Sequence, residues 1–283
     1  MKKLFLYALV LILSEPVFGK TISIVGSPSL SFQFSEGQVN VEGEFELSNF
    51  GDEAAIEVFP EIEIGKWRWA GNPVKLMPQA RNRWSLAAQV DLKDFACRKD
   101  TCVDNPLPQS GLFPILVWRH YKDLNGYPFS ALTVERAIIG GVPEDRQNLL
   151  YSSPLKQIVK VKSNGEAFVA EVTIYNSGST EIEGVLSLFT TREVLIETKP
   201  MAITLDPQSQ KTFDLEGKNI SGLLGSVYQV YSVLEYRDGE FRNASIGNAA
   251  WTIQEAETTN IWIFTILGFL IIGIIAVLYL RVF

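Results

Sequence analysis

Residues that enzymes and metal sites commonly use are scarce in this chain. Its 283 residues include one histidine, His120, and two cysteines, Cys97 and Cys102. A tetrahedral zinc site needs four nitrogen or sulfur ligands, and no second Cys or His pair is present to complete one. Glycine-rich phosphate loops and the serine motif of hydrolases are also missing. We therefore predict no catalytic residue, no cofactor and no metal site.

His120 is the one candidate for acid–base catalysis. On a β-strand, alternation would place it opposite its apolar neighbours, exposed or partly exposed. Catalysis would also need a nucleophile and an orienting carboxylate beside it, and no local motif supplies them. A membrane-tethered hydrolase that uses His120 is therefore kept only as an alternative.

Positive charge is also in short supply. Lysine and arginine number 25 against 32 aspartate and glutamate residues, which gives a formal net charge of −7. A surface of this sign repels nucleic acid and anionic lipid headgroups. Nucleic acid is therefore excluded as a partner.

The N-terminus has the layout of a signal peptide. Lys2 and Lys3 precede an apolar run over residues 4–13, which Ser14, Glu15 and Pro16 interrupt. This run is too short for a permanent membrane span, which needs roughly 20 apolar residues. Residues 1–19 are predicted to be cleaved, so the mature chain would begin at Lys20.

The C-terminus predicts a membrane anchor. No charged residue occurs from Ile261 to Leu280, and Trp262 and Tyr279 stand near the two limits, where aromatic rings suit the headgroup regions. We predict a transmembrane helix over residues 258–281, with residues 282–283 as a cytoplasmic tail. The body would then be periplasmic or extracellular in a single-pass membrane protein.

The two cysteines are expected to form a local disulfide. Only four residues separate Cys97 from Cys102, and export would place them where disulfides persist. We interpret this pair as a staple within a long loop.

An internal repeat is the most informative feature of the body. Two alternating segments run into Asn-x-Gly, where Asn and Gly tolerate the positive φ of a turn. Each is followed by Leu-x-Pro-Gln and later by a hairpin that begins with tyrosine. About a dozen extra residues precede the first copy's hairpin, around the cysteine loop. The matched segments are Glu44–Gly51 with Glu171–Gly178, Leu76–Gln79 with Leu205–Gln208, and Tyr121–Asp123 with Tyr236–Asp238.

Short strands separated by Gly, Pro and Asn predict an all-β fold. We predict two tandem immunoglobulin-like β-sandwich domains, over residues 20–142 and 143–257, followed by the transmembrane helix. The linker is expected at residues 140–148, where flexible and turn-forming residues combine.

This layout resembles the immunoglobulin-like modules of bacterial surface and periplasmic proteins. Residues 143–147, followed by Leu149, Leu150 and Tyr151, are also similar to a segment of periplasmic pilus chaperones. In that family the segment lies within the first domain and the protein is soluble, whereas here it lies between the domains and an anchor is predicted. The resemblance therefore implies the fold, and no functional residue is carried over.

Trp67, Trp69 and Trp84 form the candidate binding face. Trp67 and Trp69 are two residues apart, so they share one face of a strand, where they would either contact a ligand or belong to the sandwich core. Exposure of all three would favour a carbohydrate-binding or adhesive protein.

Our leading hypothesis is a non-enzymatic, membrane-anchored protein-interaction or assembly module. Its partner would be an envelope or membrane protein, which the first domain would bind at a distance from the membrane. An exposed sandwich edge could recruit a strand of that partner. The partner's identity and the oligomeric state stay open.

Overall fold

The computed structural model describes residues 21–96 and 107–253. The predicted signal peptide, the predicted Cys97–Cys102 disulfide and the predicted membrane span lie outside the described residues. Within the described part, no helix is long and apolar enough to cross a membrane.

The first half of the described chain forms a β-sandwich, called here the first sandwich. In one sheet, strand β3 lies between β7 on one side and β1 and β2 on the other; in the facing sheet, β4 and β8 are central, with β5 and β6 beside β4 and β9 beside β8. Its strands are β1 (Ile24–Val25), β2 (Pro28–Ser35), β3 (Gln38–Asn49), β4 (Ala55–Ile64), β5 (Trp67–Ala70), β6 (Val74–Leu76), β7 (Arg81–Asp91), β8 (Gly111–Lys122) and β9 (Pro128–Ile139).

The second half repeats this plan and is called the second sandwich. One sheet has the order β10, β11, β15, β13, and the other contains β14, β12, β16 and β17. Its strands are β10 (Leu155–Asn164), β11 (Ala167–Asn176), β12 (Ile182–Phe189), β13 (Val194–Ile196), β14 (Met201–Leu205), β15 (Ser209–Asn219), β16 (Val227–Asp238) and β17 (Phe241–Thr252).

Each sandwich has its own core because its strands alternate between apolar and polar residues. In β3, Val39, Val41 and Leu47 are buried, whereas Asn40 and Glu42 between them are exposed. The inward residues of β11, such as Val172 and Ile174, fill the second core in the same way. The predicted all-β, immunoglobulin-like sandwich fold is confirmed.

The repeat is confirmed in atomic detail at the Asn-x-Gly turns. Asn49 and Asn176 are buried, and the Oδ1 atom of each accepts the backbone N–H of the glycine two residues later, at 3.0 Å in both copies. The expected positive φ does not occur at these asparagines. It falls on Gln79 and Gln208, with φ of 61° and 51°, whose side-chain amides bind carbonyls of the same turns.

The extra residues of the first copy lie where the repeat predicted them. Residues 92–110 connect β7 to β8, whereas only residues 220–226 connect the equivalent strands β15 and β16. The longer connection begins with the short helix α1 (Leu92–Ala96), whose Phe95 is buried in the first core. The insertion is therefore anchored to its sandwich at this end.

The predicted flexible linker contains a helix. Helix α2 (Glu144–Tyr151) fills most of residues 140–148, and its Leu150 packs with Leu112 and Val142 in a small apolar cluster. Pro143 and two acidic residues open the helix, a combination that suits a helix N-terminus. The segment does connect the two sandwiches, but it contains a helix where turn-forming residues were expected, and this buried leucine holds it in place.

The two sandwiches lie side by side. Gly111 of β8 pairs in parallel with Arg242 of β17, so strands of both sandwiches form one nine-stranded sheet. Leu116 and Leu132 of the first sandwich pack against Val233 of the second. The expected distance of the first domain from the membrane stays a prediction. The domain boundary between residues 142 and 143 stays a prediction.

Candidate functional site

A cleft of about 410 Å³ lies between the two sandwiches. One wall comes from β4 and from the hairpin of β8 and β9, and carries the rings of Phe59, Tyr121 and Phe129. The other wall is formed by the connection after β12, with Arg192 and Glu193. His120 is one of the residues that line this cleft.

His120 is buried, with 6% of its surface exposed, which corrects the expected exposure. Alternation did place it opposite the first core, on the face of β8 that also carries Leu116 and Trp118. That second face is covered by the second sandwich, and the Phe59 and Trp118 rings lie 4.7 Å and 6.0 Å from the imidazole. Both faces of β8 are buried because the second sandwich packs against the face that is opposite the first core.

A buried carboxylate joins the two sandwiches at the back of this cleft. The Oε2 atom of Glu61 lies 3.1 Å from Nε2 of His120 and accepts a 2.6 Å hydrogen bond from Nη2 of Arg192. Nε of Arg68 lies 3.1 Å from Oε1, close enough for charge attraction although its N–H is not directed at that oxygen. Arg192 comes from the second sandwich, so this cluster is an ionic tie across the junction.

The environment of Glu61 favours its charged form. Burial alone would raise the pKa of this carboxyl group. The hydrogen bond with His120 and the positive charges of Arg192 and Arg68 outweigh burial, and the pKa is lowered. Glu61 is therefore charged at neutral pH and contacts cations from both sandwiches.

The cleft contains a histidine, a carboxylate and a serine, but their hydrogen bonds do not form a catalytic relay. Ser130 faces His120 across the β8–β9 pair. Its hydroxyl donates to Oε2 of Glu193 at 2.7 Å and accepts the backbone N–H of Arg192 at 2.9 Å. An activated serine would instead donate to the histidine base. These bonds close the junction between the sandwiches.

The three tryptophans of the candidate binding face lie in the first sandwich as follows. Trp67 and Trp69 are half-buried on β5 and pack against the first core. Trp84 is buried on β7, and its Nε1–H donates to the carbonyl of Asn72 at 2.9 Å. All three contribute to the packing of the sandwich, and the aromatic binding face stays a prediction.

Strand β2 has a free edge that the sequence alone did not identify. It spans eight residues, pairs only with β3 and contains no charged residue. Among the sheet edges in the described ranges, no other uncharged strand is as long. Natural sandwiches usually protect such edges with charges, bulges or short strands. Strand β2 has none of these along Leu30 to Ser35.

The register with β3 shows which backbone groups point away from the sheet. Glu36 and Gly37, both with positive φ, form a two-residue turn between the strands, and Ser35 pairs with Gln38 beside it. This closing pair exchanges hydrogen bonds, and such pairs alternate along an antiparallel ladder. The N–H groups of Leu30, Phe32 and Phe34 are therefore directed outward, and Pro28, which has no N–H, occupies the same outward series.

The corresponding edge of the second sandwich is different. Strand β10 carries lysines at its exposed positions 156, 160 and 162. Lysines on an edge oppose pairing with another chain because their charge would have to be desolvated. Strands β2 and β10, which are equivalent in the repeat, thus differ in charge: β2 has no charged residue, whereas the lysines of β10 oppose the addition of another strand.

Comparisons with known proteins give distant structural likenesses. No protein-family model and no curated protein matches the chain. Red sea bream transglutaminase is 14% identical over 82% of this chain and 32% of its own length, with a TM-score of 0.26, so the chain spans about a third of that protein. The YadV chaperone is 15% identical over 81% of this chain and 99% of its own, with a TM-score of 0.25.

A pilus chaperone is also among these neighbours. A chain of the CsuC–CsuE chaperone–tip adhesion subunit pre-assembly complex, from the chaperone-usher Csu pili of Acinetobacter baumannii, is 14% identical over 77% of this chain and 98% of its own, with a TM-score of 0.20. These scores are low, so the likenesses assign neither a family nor a function.

Proposed function

We propose that this protein is a non-enzymatic, membrane-anchored interaction module that binds an extended segment of a partner protein along the free edge of β2. Its body would comprise two domains, residues 20–142 and 143–257, outside the membrane, with residues 261–280 as the anchor. The partner is an envelope or membrane protein.

The observation that supports this proposal is the absence of charges, prolines and bulges along β2 from Leu30 to Ser35. Its outward backbone groups at Leu30, Phe32 and Phe34 offer donors and acceptors to an added strand. The side chains of the same residues point toward the core side, and Phe34 remains 42% exposed. A partner strand in which apolar and polar residues alternate would place its apolar side chains beside those of Leu30, Phe32 and Phe34. It would also cover the exposed Phe34 ring.

Membrane tethering explains how an edge strand of modest affinity could still capture its partner. Main-chain pairing along a few residues gives modest affinity by itself. Two proteins held in one membrane meet at a high effective concentration, which compensates for a weak interface. The acidic surface of the body would disfavour anionic competitors.

Two lysines on the free edge are expected to abolish most of the binding. In the variant Ser29→Lys with Ser31→Lys, both charges lie on the exposed face of β2, where a partner strand would have to desolvate them. We expect recovery of the partner, by proximity crosslinking of the full chain in its own membrane, to fall at least about tenfold.

The matched control is Ser85→Lys with Ala87→Lys on β7. These residues flank Glu44 and Glu42 from the opposite side of β3, on the same exposed face of the same sheet. We expect the control to retain the partner and both variants to unfold at similar temperatures. Equal loss in both variants, or in neither, would refute binding at β2.

A further inference from the structure

An exposed apolar loop projects from the second sandwich between β15 and β16. Leu223 and Leu224 within it are exposed, as are Ile220 at its start and Val227 at its end. No charged residue occurs from Ile220 to Val227. Clustered exposed apolar side chains in a water-facing loop mark a site of contact with another phase or molecule.

The loop is held in this shape by its own hydrogen bonds. The side chain of Asn219 both donates to and accepts from the backbone of Gly222, at 3.0 and 2.5 Å. The N–H of Ser226 donates to the carbonyl of Leu223 at 3.1 Å, and the N–H of Leu223 donates to the Tyr228 hydroxyl at 3.2 Å. These bonds satisfy many of the loop's backbone groups within the protein, while its apolar side chains are exposed.

The loop lies at the end of the body that leads toward the predicted anchor. The N–H of Gly225 donates to the carbonyl of Ile253 at 2.8 Å, and the N–H of Ile253 donates to the carbonyl of Ser226 at 3.2 Å. Ile261, the first residue of the apolar stretch from 261 to 280, follows eight positions later. Even a fully extended chain would cover only about 28 Å over that distance.

The first sandwich reaches the same end. The hydroxyl of Tyr127 donates to the carbonyl of Ser221 in the loop. Tyr127 follows the turn between β8 and β9, where Leu124 is also exposed. Because the sandwiches lie side by side, both present apolar side chains beside the exit toward residue 254.

We propose that residues 220–227 dock on the surface of the lipid bilayer, with Leu223, Leu224 and Val227 inserted at the boundary between headgroups and acyl chains. This inference rests on the proposed membrane anchor. An uncharged apolar loop suits zwitterionic lipid, and insertion at this boundary reaches about 5–10 Å. Docking would fix the orientation of the body, and hence of the β2 edge, relative to the membrane.

A photoreactive benzoylphenylalanine at position 224 tests this docking in the full-length chain. The matched control places it at position 149, because Leu224 and Leu149 have nearly equal exposure, at 56% and 57%. Leu149 lies on α2 at the opposite end of the second sandwich, where the Leu150 carbonyl accepts from Nδ2 of Asn243 beside the β16–β17 turn. Both proteins are reconstituted into phosphatidylcholine vesicles and irradiated.

We expect position 224 to give at least about tenfold more covalent lipid adduct than position 149. Extraction at alkaline pH before irradiation tests the anchor separately. If the chain stays in the membrane but position 224 reacts no more with lipid than position 149, or reacts with residues 254–283 or with another protein, docking is refuted and the anchor stands. If alkaline treatment releases the chain, the anchor and the docking are both refuted.

Discussion

Replacing Glu61 with alanine is expected to lower the free energy of unfolding by about 3 kcal/mol, the lower end of the range for breaking a buried ion pair, because Glu61 is buried whereas the side chain of Arg192 is 53% exposed. The substitution leaves the buried His120 and the guanidinium of Arg192 without their shared carboxylate. Because Arg192 belongs to the second sandwich and Glu61 to the first, the junction between the two halves is expected to loosen as well. Chemical denaturation of the full chain in detergent measures the effect.

The control for this prediction is Glu63→Ala, two residues along the same strand. Glu63 also binds Arg68, with Nη2 of the arginine 2.7 Å from Oε2, but this pair is more accessible to water than Glu61. An accessible pair of this kind contributes less than about 1 kcal/mol. Similar losses in the two variants would show that Glu61 is not a special tie between the sandwiches.

The contribution of Glu61 to the free energy of unfolding is also expected to decrease as the pH is lowered. Its pKa in the folded protein is lowered from the ordinary value of 4.5, because the His120 hydrogen bond and the nearby cations outweigh the opposing effect of burial. A lowered pKa gives stability that is complete above the unfolded value and is lost as the pH falls through the folded value. The difference in unfolding free energy between wild type and Glu61→Gln should therefore shrink in acid below about pH 4.

Replacing Asn176 with alanine is expected to cost about 3 kcal/mol, the other of the two largest effects we predict. Its side-chain amide donates to the carbonyls of Thr180 at 2.9 Å and Asp206 at 3.0 Å, while its oxygen accepts the N–H of Gly178 at 3.0 Å. Alanine would remove all of these hydrogen bonds at once and leave the part-buried backbone groups of both turns without their partner. Thermal unfolding of the full chain in detergent measures the loss.

Ser177→Ala is the matched control, since this neighbour donates a single exposed hydrogen bond to the carbonyl of Pro154. We expect it to cost under about 1 kcal/mol. Asn49→Ala should resemble Asn176→Ala, because Asn49 binds the equivalent groups of the first sandwich. A small effect at both asparagines would contradict the structural role that we assign to the repeat.

The sequence predicted the parts of the fold that depend on local pattern. Alternation in segments such as Ala167 to Asn176 indicated strands with one buried face, and the paired Asn-x-Gly and Leu-x-Pro-Gln segments indicated two copies of one sandwich. The longer connection between β7 and β8 also followed from the spacing of the matches. These features are encoded within short stretches, so no knowledge of strand order is needed to find them.

Features that depend on distant parts of the chain could not be predicted in this way. Glu61 and Arg192 are separated by 131 positions, and nothing local indicates that they meet. The burial of His120 follows from the packing of the second sandwich against β8, and the free edge of β2 follows from strand order. The helix α2 was different, since Pro143 followed by two acidic residues was a local signal that we did not use.

Hydrogen exchange at the edge of β2 tests the central claim most directly. The partner recovered by crosslinking would be added to the purified full chain in detergent, and deuterium uptake would be followed by mass spectrometry. Our account predicts that the outward amides of Leu30, Phe32 and Phe34 exchange at least about a hundredfold more slowly in the complex, while β7 and β10 are unchanged. Unchanged exchange in β2, with protection appearing on β7 or around the cleft, would contradict it.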